Sequence, residues 1–97
     1  MMDNKALFKQ VVKCLNDNKT RIILRDLGRK TAGELCGKFI YLHPRQDILS
    51  TVIHEALHLL YEDWSENKVC RTEASICKGL SITQFKKILR LIAIKIE

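Results

Sequence analysis

Ninety-seven residues leave room for one small domain, because a division would leave neither half enough chain to bury a core of its own. At 46% hydrophobic and 29% charged, the composition excludes a disordered tail or a fibrous chain, and no run approaches the roughly 18 to 20 apolar residues of a membrane span. Lys and Arg exceed Asp and Glu by 17 to 11, but the cations are scattered and the few aromatics form no stacking platform, so the charge does not favour nucleic acid as partner.

The apolar residues Ala6, Leu7, Val11, Val12, Cys14 and Leu15 follow a helical stripe that Asp3 or Asn4 can cap. Arg21 to Arg25 is short, rich in β-branched residues, and reads as a strand. Glycines 28, 33 and 37 punctuate a basic segment that predicts a hairpin, and Lys38 to Leu42 reads as a further strand ahead of Pro44. From Ile48 to Leu60 the pattern is apolar on most sides, as expected of a central, largely buried helix with Asp47 at its start. A third helix is expected from near Asp63 or Ser65 to Gly79, where a left-handed cap is natural. The Ser-x-x-Gln form of Ser81 to Gln84 opens a last helix with Phe85, Ile88, Leu89, Ile92 and Ile96 on its apolar side. The sum is a single α+β domain over residues 1–97: an N-terminal helix, a two- or three-stranded sheet and three further helices.

Two features bear on the compartment. No signal-like apolar run follows Asp3, Asn4 and Lys5, and Cys14, Cys36, Cys70 and Cys77 contain no Cys-x-x-Cys pair. The expectation is a cytoplasmic chain, without membrane contact, whose cysteines are mostly buried reduced thiols.

The chemistry is concentrated in the central helix, where His54, Glu55 and His58 make a His-Glu-x-x-His motif. Histidines four apart project from one helical face on successive turns, close enough to share one Zn²⁺ at about 2.0 to 2.1 Å. Glu55 follows the first of them and is placed to take a proton from water beside the ion. On a mostly apolar helix, unpaired imidazoles and a carboxylate would be costly to bury. With Thr51 at the first position and uncharged Val52, Ala56, Leu57, Leu59 and Leu60 at the filler positions, the segment resembles the extended signature of the zincin metallopeptidases.

A third ligand has to come from elsewhere. Tyr61 and Trp64 stand where the metzincin subgroup has its glycine and third histidine, which excludes that pattern. If the third helix packs antiparallel to the second, a rise of about 1.5 Å per residue in both places Glu73 opposite the histidines. Glu73 also shares a stripe with Val69, Cys70, Ile76, Cys77 and Leu80. Glu66 is the rival, although its spacing from Asp63 suits a capping box.

A His-Glu-x-x-His helix followed by a glutamate-bearing helix resembles the gluzincins, and the size and element order are most similar to the minimal soluble minigluzincins, over about Arg21 to Leu80. The resemblance implies a zinc-dependent endopeptidase with Zn²⁺ as cofactor, His54, His58 and Glu73 as ligands, Glu55 as general base, and a peptide or protein as substrate. It further implies an upstream edge strand, here Phe39, Ile40, Tyr41 and Leu42, that holds extended substrate, and it allows for latent, self-blocked forms. Tyr61 and His43 are candidates to stabilise the oxyanion, and Tyr61 equally suits packing at the helix end.

Two alternatives remain. One is a metal-dependent endoribonuclease, although that family has glycine at the position of Glu55. The other is a non-catalytic zinc-binding module whose C-terminal helix, with Leu91, Ile92, Ile94 and Ile96, covers the cleft or builds a homo-oligomer.

Overall fold

The computed structural model describes residues 3–25, 33–42 and 47–97. Its elements run α1 (Asn4–Asn16), β1 (Arg21–Leu24), β2 (Gly33–Cys36), β3 (Phe39–Leu42), α2 (Ile48–Leu60), α3 (Glu66–Gly79) and α4 (Ile82–Lys95), the expected α+β layout. Each helix starts at a side chain that accepts a backbone N–H otherwise left without a partner: Asp3, Asp47, Ser65 and Ser81. At α4 the capping box is complete, with the Gln84 side chain accepting the Ser81 N–H.

β2 and β3 form a hairpin whose two-residue turn has Gly37 at φ 60°. No non-glycine residue has positive φ among the described residues, so the left-handed position falls on the glycine, as a type II′ turn requires. β1 then pairs with the far side of β3, in parallel, to give the order β1-β3-β2. Phe39–Leu42 is therefore the central strand, which corrects the expectation of an edge strand there. The ladder runs along both of its sides, leaving none for an added peptide.

The register puts Ile22, Ile40 and Leu35 in one row on one face of the sheet, where Leu42 and Gly33 also lie. α2 packs on the sheet and between α1 and α3, so Val52, Ile53, Ala56 and Leu57 are inaccessible to solvent, as are Leu15, Ile22, Ile40 and Leu42. By the usual area relation each of these valine, leucine and isoleucine side chains contributes about 1.5 to 3 kcal/mol.

The chain end is tied to β1. Ile96 bridges Ile22 in parallel, the Glu97 N–H donates to Ile22 O at 3.0 Å, and the Glu97 carboxylate pairs with Arg21. Lys95 Nζ donates to the Asp17 and Thr20 carbonyls at 2.8 and 2.9 Å. The tail thus lies along the β1 edge, across the sheet from β2, and not over the His-Glu-x-x-His helix.

Three local expectations are corrected. Gly79 is the last residue of α3 and not a left-handed cap, since the chain leaves the helix through Leu80 in extended conformation. Asp63 makes no capping box with Glu66, because Ser65 caps α3 and Glu66 opens it. Among the cysteines only Cys14 is buried, Cys77 is half-buried, Cys36 and Cys70 are exposed, and all four are free thiols. No helix among the described residues is long and apolar enough to cross a membrane.

Candidate metal centre

α2 supplies three of the polar side chains. Its apolar residues turn toward the sheet, α1 and α3, so the remaining arc, holding His54 and His58, faces the start of α3 and the turn before it. The two imidazoles meet edge to face with centroids 4.8 Å apart and Nε2 atoms 3.2 Å apart.

α3 supplies two carboxylates. Glu66, its first residue, sends Oε1 to within 2.8 Å of His54 Nε2 and Oε2 to within 2.7 Å of His58 Nε2. Glu73, two turns further on, places Oε1 2.8 Å from His54 Nδ1. From helix periodicity Glu73 is the expected third ligand and Glu66 the rival. It is Glu66 that reaches both Nε2 atoms, while Glu73 occupies the opposite nitrogen of one ring. A rise of about 1.5 Å per residue along two straight helices would set Glu73 opposite the histidines. Residues 61–65 instead bring the very start of α3 back over His58.

Proton bookkeeping tests whether a cation fits. An ionised carboxylate only accepts, so the contact with Glu73 assigns the proton of His54 to Nδ1. In the neutral ring Nε2 then presents a lone pair to a carboxylate oxygen 2.8 Å away and to a second imidazole nitrogen 3.2 Å away. Donors of electron pairs at such range repel unless a second proton or a shared cation lies between them. Two imidazole nitrogens and one carboxylate make a donor set that a metal ion could take, with the Glu73 carboxylate on the other ring nitrogen of His54. The residues fit a divalent ion.

The electrostatics agree. Glu66 is two-thirds exposed at its side chain. What little burial it has works against its charge, but the His54 and His58 rings and their hydrogen bonds bring its carboxyl below the usual value. Glu55 points to the neighbouring side of α2 and is buried at 8% exposure. Burial pushes its carboxyl up, and the two histidines pull it partly back. A carboxyl raised in this way is a better proton acceptor than a solvated one.

Gly33 of β2 sits in close contact with α2. A Cβ there would lie 2.4 Å from Thr51 Cγ2 and 3.4 Å from Glu55 Cγ, so a bare glycine is what lets β2 lie directly against the face of α2 that carries Glu55. Nothing in the local sequence signals this role. Among the described residues no strand pairs with the outer edge of β2.

Tyr61 closes α2 and stacks on Trp64 at 4.3 Å between centroids, with Lys68 Nζ 4.3 Å above the indole. Burial pushes its phenol up. It thus takes part in packing at the helix end. His43, the other oxyanion candidate, lies outside the described residues. Cys70, one turn beyond Glu66, brings Sγ to 3.7 Å from Glu66 Oε1. No protein-family model, no curated protein and no solved structure matches the chain.

Proposed function

We propose that this chain is a zinc-dependent endopeptidase of the gluzincin type, with His54, His58 and Glu66 as metal ligands, Glu73 as the residue that orients His54, and Glu55 as general base. The observation that carries the reading is the convergence of His54 Nε2, His58 Nε2 and the Glu66 carboxylate within 2.7 to 3.2 Å of one another, beside a buried glutamate. When bound, Zn²⁺ supplies Lewis acidity, polarising a carbonyl and acidifying water.

The chain's own residues do the rest. Glu55 takes the proton of the attacking water on its carboxylate and returns it to the leaving amine, a role suited to a carboxyl whose proton affinity burial has raised. Glu73 fixes the tautomer and plane of His54 through Nδ1. The exposed side of Glu66 leaves the approach open to a large substrate. The outer edge of β2 offers backbone donors and acceptors to an extended peptide, and Gly33 keeps that edge close to Glu55. The tail, fastened to β1, leaves this approach clear.

The test is metal analysis of the purified chain together with cleavage of casein and of unstructured peptides, with and without a chelator. Expected results are one zinc per chain, chelator-sensitive cleavage, and a Glu55→Gln variant that keeps the metal and loses about 10²-fold or more in rate. Cleavage by Glu55→Gln at the original rate would refute the mechanism.

One contact favours a second reading, a zinc-binding module without catalysis. Cys70 Sγ lies 3.7 Å from Glu66 Oε1, and a thiolate that reached the ion would close the position a substrate needs. Co²⁺ substitution separates the two: a sulfur-to-cobalt charge-transfer band that vanishes in Cys70→Ser supports the closed site, and its absence supports the open one.

A further inference from the structure

α4 reads Ile82 to Lys95 with four cations and no acid. Its inner face is accounted for: Ile88 and Ile92 are buried in the core, and Lys95 is held by the Asp17 and Thr20 carbonyls. Its outer face is not. Ile82, Phe85 and Leu89 are 76%, 41% and 40% exposed and stand at i, i+3 and i+7, the spacing of a seam that receives another helix. Beside that seam, Ile82 leads at four-residue steps to Lys86 and then Arg90, the next ridge of the same helix. Among the described residues no carboxylate pairs with Lys86, Lys87 or Arg90. A cavity of about 430 Å³ lies on this basic side, lined by Thr83, Lys86, Lys87, Arg90 and Leu91.

We propose that the outer face of α4 is a docking surface for an acidic amphipathic helix of a partner protein, whose apolar residues seat on Ile82, Phe85 and Leu89 and whose carboxylates meet Lys86, Lys87 and Arg90. Charge complementarity chooses this occupant. A second copy of the chain would bring three more unpaired cations to the same place, so self-association through this face is opposed by its own charge. A bilayer asks for a broad apolar face, and the broad face of α4 is committed to the core through Ile88 and Ile92. What remains is the narrow seam of Ile82, Phe85 and Leu89, with Ile94 exposed apart from it beyond the basic ridge, and a seam of that width matches a helix. The cations steer the encounter and set its orientation, and the apolar seam supplies the area that holds the complex. This inference does not rest on the metal reading.

The experiment titrates the full chain into a fluorescein-labelled synthetic helix of three heptads with Leu at the seam positions and Glu beside them. Two control peptides accompany it, one of the same composition with the Leu spacing scrambled and one with Lys in place of Glu. Saturable binding is expected for the acidic ordered helix alone, weakened about tenfold by Arg90→Glu and by Leu89→Asp, and weakened again by salt. Both substituted sites are exposed, and circular dichroism checks that the variants keep their helix content. Equal binding of the scrambled peptide would reduce the surface to a charge effect and overturn the proposal, as would failure to bind the acidic helix at all. So would a dimer by sedimentation that Leu89→Asp dissolves, or tighter uptake on phosphatidylserine vesicles than on the peptide.

Discussion

α2 and α4 are 13 and 14 residues long and both rich in aliphatic side chains, yet they carry different kinds of work. α2 is enclosed by α1, α3 and the sheet, so even Thr51 and Glu55 are buried and its histidines are half-buried. A polar group in that setting has to find its partner within the protein, and His54 and His58 find theirs in Glu66 and Glu73. Among the described residues α4 is covered on one side only, and of its four cations Lys95 is held by backbone carbonyls while Lys86, Lys87 and Arg90 meet no carboxylate. Enclosure concentrates reactive groups, while half-exposure leaves a surface available for recognition.

The comparison can be broken first in the core. Leu57→Ala should cost about 3 to 4 kcal/mol of unfolding free energy in urea, and Leu89→Ala less than about 1 kcal/mol. Equal losses would mean that α4 is as enclosed as α2.

Zinc is the next largest lever. At a hundredfold excess over its dissociation constant the ion should stabilise the chain by about 2.7 kcal/mol, raising the melting temperature on the order of 10 °C. Scanning calorimetry should find this gain abolished in His54→Ala and retained in Arg90→Glu.

Replacing Gly33 by Ala should then cost about 2 kcal/mol, since the new methyl overlaps Thr51 Cγ2 and β2 must move off α2. Thr51→Ser in the same background removes that methyl and should return part of the loss, a coupling that a double-mutant cycle measures. Additive effects would place the strain elsewhere.

The smallest effect sharpens the roles of the two acids. Glu73→Gln should weaken zinc binding about tenfold, whereas Glu66→Gln, which removes a charged ligand, should weaken it by considerably more. The reverse order, read by competition with a chromogenic chelator, would return the ligand role to Glu73.

Much of this was legible in the chain itself. The stripe of α1, the apolar run of α2, the caps Asp3, Asp47 and Ser81, and the pairing of His54 with His58 depend on neighbours three and four residues apart, which is the range that helical periodicity reports. Some features that depend on distant partners are not visible in that range. Phe39–Leu42 has the composition of any strand, and only the parallel docking of β1 on its free side makes it central. Cys70 falls on a plausible inward stripe, but α3 packs through Val69 and Ile76 and leaves it outside.

The amino-acid sequence by itself determined the helices, their starting points and the two imidazoles on one face, because these follow from local hydrogen bonding and a 3.6-residue repeat. Tertiary structure alone decided which acid meets the Nε2 atoms, which strand stands in the centre of the sheet and where the tail is fastened. Those outcomes rest on the path of residues 61–65 and on contacts between segments as far apart as Ile22 and Ile96. A repeat pattern carries no information at that separation, so packing against the whole chain had to choose.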